Sequence, residues 1–420
     1  MAPLRFSLGS LAEGIHAAAP RAEAAAAALA RRDPSGWSER REVQDQIAER
    51  MGWLASPAMM AGEVERLTTF ANRVSATGTT DVVLLGMGGS SLAPEVLRAV
   101  VGVGPSFPRF RVLDSTDPDA VRAAATPPAT TLYILASKSG DTVEPTSLAA
   151  HFQAALTAAG VGRWADHFVA ITDEGTTLSA RARRENFLEL FINPSDIGGR
   201  YSALSFFGLV PAALMGQDIT RLLDGATRML DAALAPGPAL DNPAVGLGLA
   251  IAGAAAAGRD KMTLLLPPER ASFGLWVDQL VAESTGKNGV GIVPVVGEAL
   301  ADPNEYGADR FFVDMRATGA PLTPGIAIEW SDALDIGAEF IRWEVATAVA
   351  GALLHVNPFD QPDVQQAKAA TNQILESVTP NGMLPTSAAM MTLPGDVTLR
   401  TTRADRKSTR LNSSHVSESR

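Results

Sequence analysis

The sequence has no cysteine and very few histidines. Of its 420 residues, none is cysteine and 5 are histidine, at positions 16, 151, 167, 355 and 415. Without cysteine, disulfides and thiolate metal sites are excluded. The histidines are too scattered along the chain to form a metal-binding cluster. The composition therefore predicts no metal site.

Long basic runs and long apolar runs are also missing. The net charge is −11, and no basic run occurs before the last few residues, which argues against nucleic acid and anionic membranes as partners. No uncharged apolar stretch reaches the roughly 18 residues that a membrane span needs. The alanine-rich segment 24–30 is short and flanked by charges, unlike the core of an export signal. A cytoplasmic protein is expected.

Hydrophobic residues make up 46% of the chain, enough for large cores, and the length suggests two domains. Residues 1–50 are predicted to be a helical segment. Short apolar runs then alternate with helix-compatible segments, which predicts an α/β fold with parallel sheets covered by helices. The predicted strands are 81–85, 110–113, 131–136, 168–172 and 187–192, followed after the break Ala-Pro-Gly-Pro at 235–238 by 262–266, 290–296, 310–315 and 325–328.

The break at 235–238 is the best candidate for a domain boundary. We predict a first domain over residues 51–235 and a second over 239–404. Residues 405–420 change composition abruptly and lack periodicity, so they are predicted to be a non-native tail. The natural chain is then expected to continue past about residue 404, leaving the second domain incomplete.

The loops that follow the first, third and fifth predicted strands are the places to look for a ligand, because ligands bind beyond the carboxyl ends of parallel strands. Segment 137–142, Ser-Lys-Ser-Gly-Asp-Thr, links a strand to a helix start, where free N–H groups and the helix dipole suit a phosphate. Its hydroxyls and Lys138 supply further donors. An ordinary helix cap without a ligand is the alternative.

Three further stretches carry candidate residues. Arg200 lies in a glycine-rich loop, and its guanidinium suits a phosphate or an enediolate oxygen; a surface salt bridge is the alternative. Gln279 and Glu283 share one helix face, and Glu283 follows apolar residues, so it is predicted to face the interior as a general base. An exposed final helical turn is the alternative there. Gln361 and Lys368, two helical turns apart, also share a face, and a plain surface helix is the alternative.

Five stretches together, in order and spacing, resemble the glucose-6-phosphate isomerase family. They are Gly-Met-Gly-Gly-Ser-Ser-Leu-Ala at 86–93, Ser-Lys-Ser-Gly-Asp-Thr at 137–142, Gly-Gly-Arg-Tyr-Ser at 198–202, Gln-Leu-Val-Ala-Glu-Ser-Thr-Gly-Lys at 279–287, and Asn-Pro-Phe-Asp-Gln at 357–361 with Lys368. The resemblance covers about residues 37–400 and is greatest to the isomerase half of bacterial transaldolase/glucose-6-phosphate isomerase fusion proteins.

This resemblance implies two sugar-isomerase (SIS) domains, each a parallel-sheet sandwich, with the site between them. It implies interconversion of glucose 6-phosphate and fructose 6-phosphate through a cis-enediol, as in glycolysis and gluconeogenesis. It implies no metal or nucleotide cofactor, and a homodimer. By position, the resemblance implies that the phosphate is bound by Ser137, Lys138, Ser139 and Thr142, with Ser90 beside them. It implies that Gly199 and Arg200 line the reacting end and that Glu283 is the base, with Gln279 on the same helix face. It also implies that Gln361 and Lys368 close the site.

One departure from the family concerns the histidine that helps to open the sugar ring. No matching histidine lies between Glu283 and Gln361, and His355 is a possible stand-in, although a lone histidine near a helix end is more often structural. Two other hypotheses stay open: a non-catalytic sugar-phosphate-binding SIS protein, and an isomerase inactivated by truncation.

Overall fold

Two five-stranded sheets organise the protein. A computed structural model describes residues 4–316, 322–361, 370–371, 373–378, 389–393 and 397–400. Residues Met1–Asp360 form one compact unit and Gln361–Arg420 a second. The strands are Arg5–Ser7 (β1), Asp81–Leu85 (β2), Arg109–Leu113 (β3), Thr131–Ala136 (β4), Phe168–Asp173 (β5), Glu189–Asn193 (β6), Lys261–Leu265 (β7), Val293–Val296 (β8), Arg310–Asp314 (β9), Gly325–Ala327 (β10), Ala389–Leu393 (β11) and Val397–Arg400 (β12).

Helices join and cover these strands. They are Ala12–Ala30 (α1), Arg41–Ala48 (α2), Ser56–Ala61 (α3), Val64–Ala76 (α4), Leu92–Val100 (α5), Pro118–Ala123 (α6), Val143–Ala158 (α7), Thr177–Glu185 (α8), Phe206–Leu214 (α9), Ile219–Leu234 (α10), Val245–Ala256 (α11), Phe273–Thr285 (α12) and Ile336–Leu353 (α13). No helix in the described ranges combines the length and the apolar character that crossing a membrane would need.

The first sheet has the order β3-β2-β4-β5-β6, and all its neighbours are parallel. Strands β2, β4 and β5 are buried along their whole length, which explains why they read as continuous apolar runs rather than alternating ones. The chain leaves β2 for the edge strand β3 and returns to β4 on the other side of β2. The crevice between the loops after β2 and β4 is therefore the switch point of the sheet, where ligands bind in such folds.

The second sheet has the order β1-β10-β9-β7-β8 and is parallel except for β1. The predicted α/β fold with two parallel sheets is thus confirmed. The N-terminal segment differs from its wholly helical prediction, because Arg5–Ser7 pairs antiparallel with Gly325–Ala327. Three residues carry no periodic signal, and their partner lies more than 300 residues away. Residues 235–238 connect α10 to α11, and the exact domain boundaries stay a prediction.

Helix α13 packs against α10, α11 and α12 and is buried from Ile336 to Gly351, as expected of a helix enclosed by others. It nevertheless buries two carboxylates. Arg342 donates from Nε to Glu339 Oε1 at 3.0 Å, and burial raises the pKa of Glu339 although Arg342 opposes it. Glu344 is also buried, and no described residue forms an ion pair with it. The second unit contains the hairpin of β11 and β12. The predicted tail, 405–420, lies outside the described residues.

Candidate functional site

The hydroxyl loop, residues 137–142, brings three hydroxyl groups together at the start of α7. Ser137 Oγ lies 2.9 Å from Thr142 Oγ1 and accepts the Gly140 N–H at 3.1 Å. Ser139 Oγ lies 3.4 Å from Thr142 Oγ1. Thr142 is the N-cap residue of the 16-residue α7, but its side chain makes no capping hydrogen bond. The Thr142 hydroxyl is therefore not used as a helix cap, and the loop can offer its hydroxyls and the first N–H groups of the helix to an anion.

The side chain of Lys138 turns away from these hydroxyls. Its Nζ pairs with Asp173 Oδ2 and donates to the Ser195 carbonyl at 2.9 Å. Burial raises the pKa of Asp173, which ends β5, and the ammonium group of Lys138 opposes that rise. The charge of Lys138 therefore ties the hydroxyl loop to β5 and to the loop after β6, instead of pointing at the predicted phosphate position.

The glycine-rich loop after β2, residues 86–91, lies against two other predicted site segments. A Cβ placed on Gly89 would stand 2.2 Å from the Gly199 carbonyl oxygen, so only glycine permits this approach. Gly88 has φ +54°, and a Cβ there would stand 2.8 Å from Gln279 Nε2. Ser90 is half-buried in the same loop. The fold thus brings Ser90, Gly199 and Gln279 into one region.

Arg200 occupies the centre of this region and is buried. Its Nε donates to Ser284 Oγ at 2.9 Å, and its Nη1 lies 3.2 Å from Glu283 Oε2. Its Nη2 donates to the Pro358 carbonyl at 3.1 Å and the Asp360 carbonyl at 2.8 Å. The alternative of a surface salt bridge is wrong, because the fork of this guanidinium spans α12 and the turn at 357–360.

Glu283 lies in the last turn of α12 with 28% of its side chain exposed. The sequence suggests apolar surroundings for this carboxylate. The structure corrects this expectation, because the Glu283 carboxylate contacts the buried guanidinium of Arg200. A carboxylate that is accessible at one end and held by a cation at the other can exchange protons with a bound substrate.

Lys287 and Asp360 are site residues that the sequence reasoning did not single out. Lys287 Nζ pairs with Asp360 Oδ1, donates to the Asp360 carbonyl at 2.9 Å and also reaches the Asn357 carbonyl. Burial lowers the pKa of Lys287, and Asp360 opposes that shift. Position 287 is four residues after Glu283, but α12 ends at Thr285, so helical spacing alone gave no usable signal.

An aromatic cluster fixes the turn at 357–360 from the opposite side. The Phe359 ring centroid lies 5.5 Å from that of Trp37 and 5.3 Å from that of Tyr201. Asn357 Oδ1 accepts the Phe359 N–H at 3.0 Å, which closes the turn. Burial raises the pKa of Tyr201, the residue after Arg200. The apolar core therefore anchors both Arg200 and the turn that holds it.

The possible stand-in histidine, His355, has another partner. It is exposed after the end of α13, and its Nε2 lies 2.9 Å from Arg21 Nη2. Since arginine can only donate, Nε2 is the acceptor in this contact. His355 is thus a helix-end residue bound to α1. Gln361 is half-buried at the start of the second unit, and Lys368 lies outside the described residues.

Known proteins resemble this chain over most of its length. The sequence model described as Phosphoglucose isomerase matches residues 55–307. A glucose-6-phosphate isomerase of Synechococcus sp. (strain JA-2-3B'a(2-13)) is 30% identical, over 77% of this chain and 74% of its own length. The chain belongs to the phosphoglucose isomerase family.

Two solved structures share the fold of this chain. A hypothetical protein of Thermus thermophilus matches with a TM-score of 0.71 at 26% identity, over 89% of this chain and all of that one. A glucose-6-phosphate isomerase of Chlamydia trachomatis has the same fold, with a TM-score of 0.64 at 22% identity over 77% of this chain and 75% of that one. The hydroxyl loop, the glycine-rich loop, Arg200 and Glu283 are therefore parts of a phosphoglucose isomerase fold.

Proposed function

We propose that this protein interconverts glucose 6-phosphate and fructose 6-phosphate, with Glu283 as the base that moves a proton between C2 and C1. The observation that carries the proposal is the Arg200–Glu283 pair at 3.2 Å, with the glycine-rich loop packed against the Gly199 carbonyl beside it. A sugar phosphate is a small dianion with an acidic C–H next to a carbonyl. Its isomerisation needs an anion site, a base and a cation for the developing oxygen charge.

The phosphate group is assigned to the hydroxyl loop, where Ser137, Ser139 and Thr142 and the start of α7 provide donors, with Ser90 on the neighbouring loop. Lys138 contributes through its bond to Asp173, which holds the loop in place. This assignment gives the hydroxyls the binding role and Lys138 a supporting one.

The proton transfer is assigned to Glu283. In the open-chain aldose, its carboxylate takes the proton from C2, the C1–C2 bond becomes double, and negative charge develops on O1. The Arg200 guanidinium, already oriented at this carboxylate, stabilises that charge. The proton on O2 moves to O1, Glu283 returns its own proton to C1, C2 becomes the carbonyl carbon, and the ketose forms. Gln279, one helical turn earlier, is assigned the role of a donor to a sugar hydroxyl.

The remaining family expectations are part of the same proposal: SIS domains over residues 51–235 and 239–404 after the segment 1–50, a homodimer and a cytoplasmic location. The roles of Gln361 and Lys368 stay predictions from the sequence. Light scattering coupled to size exclusion tests the dimer, and a mass of one chain, 43.9 kDa, would contradict it.

The test of the activity is Glu283→Gln beside the matched control Glu189→Gln. Both glutamate side chains are 28% exposed, and in both a carboxylate oxygen lies 3.2 Å from an arginine nitrogen. Glu189, however, is the first residue of β6, so it lies at the amino-terminal edge of its sheet and not at the carboxyl-terminal edge, where the candidate site lies. In an assay coupling fructose 6-phosphate to glucose 6-phosphate, Glu283→Gln should lower kcat by a factor of about 10² or more, since amides cannot act as bases. The control should keep wild-type turnover.

Near-wild-type turnover of Glu283→Gln would overturn the assignment of the base. A wild-type protein that binds fructose 6-phosphate in calorimetry without turning it over would instead indicate the non-catalytic binding protein. In deuterium oxide, the proposed transfer should also introduce solvent deuterium into the product, and exchange should disappear in Glu283→Gln.

A further inference from the structure

Lys287 is a buried cation whose side-chain bonds to described residues go to one short segment. Its side chain is 8% exposed, and its partners are the Asn357 carbonyl, the Asp360 carbonyl and the Asp360 carboxylate. Burial lowers the pKa of this ammonium group, so a charged lysine is held here against a desolvation cost. Such a cost suggests that the chain gains something other than stability from this position.

The segment that Lys287 holds also holds Arg200. The carbonyls of Pro358 and Asp360 accept from Arg200 Nη2 at 3.1 Å and 2.8 Å. The Asp360 carbonyl is therefore shared by the two cations. With Nη2 fixed on the turn and Nε fixed on Ser284, the remaining nitrogen Nη1 is aimed at Glu283. The orientation of the guanidinium follows from the position of the turn.

We propose that Lys287 is a positioning residue of the isomerase: it fixes the turn at 357–360, and through that turn the orientation of Arg200 toward Glu283. This inference rests on the proposed function for its kinetic consequence. The inference goes beyond the proposed function because it assigns a role to a lysine whose side chain bonds to the turn and not to Glu283.

The charges around Lys287 add a second effect. The charged groups that the described residues bring to it are Asp360 from the turn, Arg200 from the loop after β6, and Glu283 from α12. Two cations and two carboxylates thus balance. Removing the lysine leaves Asp360 without its cation and takes positive charge from the surroundings of Glu283, which disfavours the carboxylate form that the reaction needs.

The experiment compares Lys287→Met, Lys287→Arg and Asp360→Asn, with Lys261→Met as the control. Lys261 also pairs with an adjacent aspartate, Asp260, at 2.7 Å, but it begins β7 with 37% of its side chain exposed. For Lys287→Met, kcat should fall by a factor of about 10 to 10², as expected for a catalytic pair displaced by an ångström or less. KM should change less than about threefold, because the phosphate loop is untouched.

Two readouts separate positioning from ordinary support of the fold. In a plot of kcat against pH, the low-pH limb for Lys287→Met should move to higher pH. A purely structural defect lowers activity without moving that limb. Lys287→Arg keeps the cation and should recover part of kcat and the original limb. If Lys287→Met does not fold, Lys287→Arg and Asp360→Asn decide: loss of kcat in Asp360→Asn with unchanged KM supports the proposal.

Unchanged kcat and pH profile in folded Lys287→Met would overturn the proposal, as would a loss in KM alone. Hydrogen exchange of the peptide covering 355–361 needs no turnover, and Lys287→Met should lose protection there. If the wild type has no isomerase activity but Lys287→Met loses protection at 355–361, the proposed function fails while the role of Lys287 in fixing the turn stands. If protection is unchanged in an active enzyme, the role of Lys287 fails while the function stands.

Discussion

Replacing Arg200 by lysine keeps the positive charge but removes the fork of the guanidinium. Among the described residues, the three nitrogens of Arg200 contact Ser284 Oγ, Glu283, and the carbonyls of Pro358 and Asp360. One ammonium nitrogen on a side chain of lysine length cannot reach α12 and the turn at once. We therefore expect Arg200→Lys to damage both stability and catalysis.

The magnitude follows from the number of bonds lost. Each hydrogen bond to a charged donor contributes about 1.5–3 kcal/mol, and lysine should recover one or two of them. The contact with Glu283 counts for less, because that carboxylate is 28% exposed and solvent screens it. With that contact set aside, one or two of the other three bonds are lost, and we expect the free energy of unfolding to fall by about 1.5–6 kcal/mol. For kcat, loss of the oriented donor should cost a factor of about 10² to 10³.

The assay measures urea unfolding and coupled isomerase kinetics on Arg200→Lys and on the control Arg183→Lys. Arg183 makes a bidentate pair with Glu174, at 2.8 Å and 2.7 Å, but its side chain is 52% exposed. The control should lose little stability, because solvent screens its exposed ion pair, and it should keep its turnover.

Two results would refute this reasoning. If Arg200→Lys were as stable as Arg183→Lys, the buried hydrogen bonds of the Arg200 guanidinium would not contribute to stability, contrary to what the geometry indicates. If its kcat fell less than about tenfold while its stability dropped as expected, Arg200 would be a structural residue and not the stabiliser of the enediolate.

Two further predictions concern the phosphate loop and the core. Ser137→Ala removes the hydroxyl that joins Thr142 to the Gly140 N–H, so steady-state kinetics should show KM raised about tenfold with kcat within about threefold, and an unchanged KM would contradict the phosphate site. Burial raises the pKa of Glu344 well above 4.5, so above that pH the folded protein keeps a proton that the unfolded chain has lost, and stability falls as pH rises. In urea unfolding at a series of pH values above 4.5, Glu344→Gln should flatten this fall, and an equally steep fall in the variant would exclude Glu344 as its source.

Much of the fold and part of the site could be predicted from the sequence, because their signals are local. Strands such as Asp81–Leu85 and Thr131–Ala136 are short apolar runs bounded by turns, and their alternation with helices allows few topologies. The loops after β2, β4 and β6 follow from that topology. So does the pairing of Gln279 and Glu283, since four residues on a helix give one face whatever the helix packs against.

Only the tertiary structure decided what the charged side chains do. Arg200 meets partners up to 160 residues away, Lys138 pairs with Asp173 across 35 residues, and His355 is bound to Arg21. Strand β1 likewise depends on a partner from the far end of the unit. A charge has no periodicity to reveal its partner, because its energy depends on which groups the fold brings within a few ångströms and how far water is excluded from them. The sequence thus determined where the loops lie, and the packing of α12 and the turn at 357–360 determined that Arg200 faces Glu283.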